Sequence, residues 1–263
     1  MLFRSFSIKE NFDQLASRCK SVSGKSGAFF YFTKNKQFII KSIKVDELKV
    51  LTSMINDYSS RMKNSSSSLF AKIFGVFKVS VNNSTPKLLM IIENLTRNFE
   101  NPLIFDLKGS TYMRRSTNVI YNDFDFMPKC QVYKDIDFLG SFKRDFNYKD
   151  GKAIFNTLEI DTHLLENYEI MDYSLLFIIE EIKSPRDSII KSGNYFRLGN
   201  YVCVLGIIDF LQNYSYRKKL ETKINKLKKE ESQSYSCIPP NAYRSRFLKL
   251  MFEIFMSASS SSP

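Results

Sequence analysis

Ala28-Phe29-Phe30-Tyr31-Phe32, Thr33-Lys34-Asn35-Lys36, Gln37-Phe38-Ile39-Ile40-Lys41-Ser42-Ile43: two apolar runs of strand length stand either side of four polar residues. Aromatic and β-branched side chains suit a pleated, half-buried surface, so the stretch predicts an antiparallel hairpin. Further along the chain, Leu48, Leu51, Ile55 and Tyr58 recur at helical spacing, which predicts a helix over 46–61. Strands are expected over 73–81 and 87–92, where Pro86 suits a strand's start because it has no N–H to give a ladder. Beyond these, 150–167 carries Ile154, Leu158, Leu165 and Tyr168 near helical spacing. The apolar runs 173–182 and 201–208 read as strands, and 217–229 and 242–255 as helices. Sheet first, then strands and helices mixed, predicts an α+β fold.

The chain has 263 residues, long for one compact core and short for two ordinary domains; two lobes around one cleft meet both limits. Apolar residues make up 43%, enough to bury a core. Lys plus Arg is 39 against 27 Asp plus Glu, a net +12 that calls for an anionic partner. No apolar run approaches the ~18 residues of a membrane span, and charges interrupt the first residues too often for a signal peptide. Cys19, Cys130, Cys203 and Cys237 lie far apart beside a single His, which argues against a zinc site or a disulfide framework and for the cytosol. Asn64-Ser65-Ser66-Ser67-Ser68 reads as a polar break, and the Ser-rich 257–263 as a disordered tail.

Five places in the sequence carry chemistry. Gly24-Lys25-Ser26-Gly27 precedes the first strand; its backbone can turn tightly and present N–H groups to phosphate, although an ordinary β-turn is the plainer reading of the loop alone. It is no Walker A loop, since the spacing differs and a strand follows. Lys41 ends the apolar run one strand later, where a kinase lysine reaches nucleotide phosphates; alone it would be read as facing solvent. Asp106-Leu107-Lys108-Gly109-Ser110 with Arg114 and Arg115 suits a phosphate-bearing substrate, or else a salt-bridged loop. Asp172 and Asp209 each stand at the mouth of an apolar strand, where one acid can orient an attacking hydroxyl and the other hold Mg²⁺; two unrelated acids are the alternative. Finally, 217–229 holds seven basic residues and one acid, with Leu220, Ile224 and Leu227 at i, i+4, i+7. Such a basic amphipathic helix can lie on anionic lipid or pack, solvated, on the body.

These motifs in this order resemble the phosphatidylinositol phosphate kinases, over roughly 20–256. The residues that carry the likeness are DLKGSTYMRRS (106–116), YKDIDFL (133–139), IMDYSLL (170–176), GIIDFLQ with its KKLE continuation (206–221) and AYRSRF (242–247). GKSGAFFYFTKNKQFIIK (24–41) resembles the family's nucleotide loop and lysine strand. The resemblance implies a two-lobed lipid-kinase fold distantly related to protein kinases, with antiparallel sheets and flanking helices. A short N-terminal segment (1–20) would precede a catalytic domain over 21–256, with an N-lobe at 21–95 and a C-lobe at 96–256. It implies ATP and Mg²⁺ as cofactors. Lys41 would bind the α/β-phosphates beside Gly24, Lys25, Ser26 and Gly27, and Glu93-Asn94-Leu95 would be the adenine hinge. Asp172 would be the catalytic acid, Asp209 the Mg²⁺ ligand, and Asp106 and Lys108 would sit at the transfer site. Arg114 and Arg115 would meet substrate. Arg217, Lys218, Lys219, Glu221 and Lys223 would belong to an activation loop that meets the membrane. There is no HRD motif and no Asn five residues after Asp172.

Glu221 in the KKLE context goes with 5-kinases in this family, and DLKGSTYMRRS and YKDIDFL resemble the enzymes that act on phosphatidylinositol 4-phosphate. The stretch 239–247 looks closer to the 3-phosphate 5-kinases. The expected reaction is therefore 5-phosphorylation of the 4-phosphate lipid, with the 3-phosphate lipid, or a catalytically dead phosphoinositide-binding scaffold, as alternatives. The expected place is the cytosolic face of a membrane, the plasma membrane first. Nucleic acid is not expected, because the aromatics fall in core-like strands and no reading motif occurs. The family's homodimer rests on a longer N-terminal region than the twenty or so residues ahead of the glycine loop here, which puts that partner in question.

Overall fold

The computed structural model describes residues 29–64, 68–80, 85–129, 131–142, 146–182, 194–214 and 238–256. The glycine loop, the basic segment 217–229 and the Ser-rich tail lie outside them. The chain divides into two compact units, Met1–Leu48 with Ala71–Arg97, and Lys49–Phe70 with Asn98–Pro263.

The first unit holds a four-stranded antiparallel sheet ordered β1-β2-β4-β3, from β1 (Phe30–Phe32), β2 (Phe38–Ile43), β3 (Ile73–Val79) and β4 (Lys87–Glu93). The hairpin forms as read. Thr33 N–H donates to Phe38 O at 3.0 Å and Lys36 N–H to Thr33 O at 2.8 Å, closing the polar turn, with Lys36 in the left-handed region. β2 pairs with both neighbours, so Lys41 stands opposite Phe30 on one side and Met90 on the other.

Helix α1 (Val45–Asn64) carries Asp46 and Glu47 in its first turn and Arg61 and Lys63 in its last, an order that suits the helix dipole. From residue 49 it belongs to the second unit. Its core stripe is Leu51, Met54 and Tyr58, while Ile55 is exposed. Ile55 fits a helical repeat as well as Met54 does, but i, i+3, i+7 centres the buried stripe on Met54 and turns Ile55 outward. Tyr58 packs on Phe70 and Phe210, with ring centroids 5.7 and 5.9 Å away.

The second unit is built on a five-stranded sheet ordered β6-β5-β7-β9-β8. Its strands are β5 (Leu103–Leu107), β6 (Val132–Lys134), β7 (Ser174–Glu181), β8 (Tyr195–Leu198) and β9 (Tyr201–Ile208). It is mixed rather than purely antiparallel, because β5 and β6 run parallel. The segment between them is long enough for the crossover that parallel pairing requires. Among the described residues three further α-helices belong here: α2 (Asp135–Ser141), α3 (Tyr148–Asn167) and α4 (Pro240–Phe255). β9 is buried along almost its whole length and β7 along most of it, which is why they read as apolar runs. Phe105, Phe138 and Phe177 stack edge to face, at 5.0 Å (Phe105–Phe138) and 5.3 Å (Phe138–Phe177). α3 and α4 lie in contact, with a Cβ at Gly151 falling 2.0 Å from Phe255 O, a closeness that only glycine permits. Arg61 donates to the buried Asp161 at 2.7 Å and joins α1 to α3.

Candidate functional site

The strand register of the second unit gathers the site. Leu107 pairs with Leu175, and Ser174 with Ile208. Lys108 just after β5, Asp172 just before β7 and Asp209 just after β9 therefore come to one end of three neighbouring strands. Both acids stand beside their strands in the left-handed region, at φ 63° for Asp172 and 58° for Asp209. That conformation is uncommon outside glycine, and Asp tolerates it better than most residues. Such a main chain costs about 1–3 kcal/mol and persists where its surroundings hold it.

Lys108 Nζ donates to Asp172 Oδ1 at 2.7 Å and to Asp172 O at 2.8 Å. This joins an ammonium and a carboxylate, both partly open to solvent, 64 residues apart in sequence. Asp209 is exposed. Among the described residues no group of three or more His, Cys, Asp or Glu stands ready for a metal ion.

The loop after β5 is organised by two carboxylates of α2 that the reading of single motifs missed. Asp135 is buried, and its Oδ1 accepts from Lys108 N at 2.9 Å, Gly109 N at 2.8 Å and Ser110 N at 3.3 Å. Its Oδ2 takes Arg114 Nε at 2.7 Å, while Arg114 Nη2 reaches Asp106 Oδ1 at 3.0 Å. Burial pulls the Arg114 pKa down, but Asp106 and Asp135 outweigh it and hold it raised, so the guanidinium stays charged. Asp137 Oδ2 accepts from Ser116 N at 2.8 Å, Ser116 Oγ at 2.6 Å and Lys134 N at 3.0 Å. Arg114 is thus committed to an internal clasp, while its neighbour Arg115 is exposed. Asp106 lies within β5, not in a loop. The signal for Asp135 was present in YKDIDFL, but nothing local marks it as the acceptor for a loop more than twenty residues upstream.

Gly109 sits at φ +69°, and a Cβ there would meet Arg246 O and Phe247 Cα at 2.8 Å. Gly109→Ala is expected to cost about 2–4 kcal/mol through strain and overlap with main chain. An unchanged melting temperature would show that the loop does not rest on α4.

In the first unit Lys41 is buried, with Nζ 5.5 Å from the Phe30 ring centroid. Glu93, Asn94 and Leu95 are buried too. Glu93 N–H is taken by Lys72 O at 2.8 Å and Asn94 N–H by Gln37 O at 3.0 Å. Leu95 is the member of the trio whose N–H these bonds leave unused. Glu93 also pairs with Arg97 at 2.7 Å. Gly24, Lys25, Ser26 and Gly27 lie outside the described residues, as do Arg217, Lys218, Lys219, Glu221 and Lys223. No helix among the described residues is long and apolar enough to cross a membrane.

Comparison with known proteins supplies the context. A family model described as Phosphatidylinositol-4-phosphate 5-Kinase matches residues 12–198 and 180–254. A putative 1-phosphatidylinositol-3-phosphate 5-kinase of Arabidopsis thaliana is 29% identical over 94% of this chain and 15% of its own length. The type-1 beta phosphatidylinositol 4-phosphate 5-kinase of Gallus gallus is 27% identical over 94% of this chain and 54% of its own. Phosphatidylinositol 4-phosphate 5-kinase 3 of Arabidopsis thaliana is 26% identical over 89% of this chain and 39% of its own. The chain spans about half the length of these relatives or less.

Proposed function

Because the chain belongs to the phosphatidylinositol phosphate kinase family, we propose that it transfers the γ-phosphoryl group of ATP to the 5-hydroxyl of phosphatidylinositol 4-phosphate. The observation that carries this reading is the Lys108–Asp172 ion pair at the strand ends shared with Asp209. Phosphoryl transfer asks a protein for positioned charge more than for covalent chemistry. Asp172 orients the inositol hydroxyl and accepts its proton as the new P–O bond forms and the bond to the ADP oxygen breaks. Lys108 holds Asp172 in place and sets a positive charge beside the transferring group. Arg115, exposed beside the clasp, meets the phosphate already on the ring. Lys41 takes the nucleotide α/β-phosphates, and Leu95 N–H is the hinge donor left for adenine. The donor set fits Mg²⁺, which is commonly held by one or two carboxylates together with substrate phosphates. Asp209, exposed at the strand end, is the residue to hold it. When bound, Mg²⁺ would neutralise charge on the nucleotide phosphates. By this reading the two units correspond to the lobes of a lipid kinase distantly related to protein kinases. The basic stretch 217–229 then sets the enzyme on an anionic membrane from its cytosolic face.

The test is radiolabelled ATP with liposomes of each monophosphorylated inositide, with the ring position of the product identified. A 4,5-bisphosphate product that disappears in Asp209→Asn supports the proposal. Product from the 3-phosphate lipid alone would move the assignment to a 3-phosphate 5-kinase. That second reading has the 29% identical relative and the stretch 239–247 behind it. Lipid binding without turnover would leave a scaffold.

A further inference from the structure

Two side chains of α4 reach the site from beneath, and neither has a part in the chemistry assigned so far. Tyr243 is fully buried, and its Oη donates to the carbonyl of Tyr173, the residue that follows Asp172. The Tyr243 and Tyr173 rings meet edge to face at 4.8 Å, and Phe247 closes on Tyr173 at 5.2 Å. One turn further along α4, Arg246 Nη2 donates to the carbonyl of Lys108 at 3.2 Å. The Arg246 guanidinium carbon lies 4.9 Å from the centroid of the Tyr243 ring, so the two side chains brace each other. Gly109, next in the loop, has no room for a Cβ above Arg246 and Phe247.

The peptide units beside both partners of the Lys108–Asp172 pair are therefore held by one rigid helix. This matters because neither partner's place follows from its own strand. Lys108 has left β5, and Asp172 precedes β7 in a left-handed conformation. Without an external grip, the carbonyls of Lys108 and Tyr173 would lose buried donors, and both chain segments would relax.

We propose that Tyr243 and Arg246 are positioning residues for phosphoryl transfer: through the Tyr173 and Lys108 carbonyls, α4 sets where the Asp172 carboxylate and the Lys108 ammonium stand. The catalytic meaning of this clamp rests on the kinase reading above; its mechanical part does not. Misplacing a reacting group by about 1 Å costs up to ~10²-fold in rate, while substrate affinity, which these two side chains do not supply, should hold.

The experiment uses the full chain with Tyr243→Phe, Arg246→Met and Arg246→Lys. Each is assayed for kcat and KM on phosphatidylinositol 4-phosphate liposomes, for melting temperature, and for amide hydrogen exchange at Gly109, Ser110 and Ser174. Tyr243→Phe and Arg246→Met are expected to lower kcat roughly tenfold or more, with KM for ATP and lipid within about twofold, and to speed exchange at those amides. Arg246→Lys should recover part of kcat, since it restores one donor without the planar fork. A folded Tyr243→Phe with wild-type kcat and wild-type exchange overturns the proposal. So does a fall in kcat matched by an equal change in KM and by general unfolding. Should Arg246→Met not fold, Tyr243→Phe, which removes one hydroxyl, decides alone. If the wild-type chain phosphorylates no inositide, the kinase reading fails, and the exchange data still decide whether α4 holds the loop.

Discussion

Asp172→Asn is expected to lower kcat by about 10²- to 10⁴-fold, the usual contribution of a positioned proton acceptor, while ATP affinity stays near wild type. The substitution is nearly isosteric, and Asn tolerates the left-handed conformation that Asp172 occupies at φ 63°. The fold should therefore survive. What disappears is the negative charge that Lys108 Nζ meets at 2.7 Å and the group that would take the inositol proton. An amide oxygen can still accept a bond from Lys108, but it cannot accept a proton near neutrality. Single-turnover measurement on inositide liposomes separates the chemical step from binding. A variant within about threefold of wild type would remove Asp172 from the chemistry, since general acid–base roles are worth far more than that.

The largest effect on stability is expected from Asp135→Ala, at about 3–5 kcal/mol, the range for stripping one partner from a buried ion pair. Asp135 accepts from three consecutive main-chain N–H groups and from Arg114. Alanine would leave those donors buried without an acceptor and Arg114 with Asp106 alone, each a desolvation cost with nothing to offset it. A fall in melting temperature of roughly 10 °C is expected. Activity should fall with it, because the loop that carries Lys108 loses its anchor. Asp135→Asn should be milder, since its carbonyl oxygen can still serve the loop. A melting temperature unchanged by Asp135→Ala would mean that the carboxylate does not organise the loop.

Much of this site was legible as letters. Asp172 and Asp209 could be placed at strand mouths because an acid beside a long apolar run marks where the run leaves the core. Lys41 was not: it ends the apolar run Phe38–Ile40 and alone reads as facing solvent, yet β2 continues through Ile43 and buries it. Arg114 and Arg115 could not be told apart, as two adjacent cations of the same type carry no local sign of which one turns inward. Asp135 and Asp137 stood only as letters of YKDIDFL, and their work as acceptors lies with partners some twenty residues away. The helical repeat picked Ile55 for the core face of α1, and packing against the rest of the second unit buried Met54 instead. β5 escaped notice because five residues interrupted by Asp106 are too short for a clear period.

The amino-acid sequence carries the identity of the long elements and the chemical types available at their ends. Both follow from interactions within a few positions along the chain: side-chain periodicity, turn residues and helix-end charges. Which cation answers which carboxylate, the mixed sheet, and the place of α4 against the site loop emerge with the folded chain. Those outcomes depend on strand register and burial between residues as far apart as Lys108 and Arg246. In the interior an ion pair or a buried carbonyl is worth keeping only where its complement arrives at hydrogen-bond distance, and that arrival is a property of the folded chain as a whole.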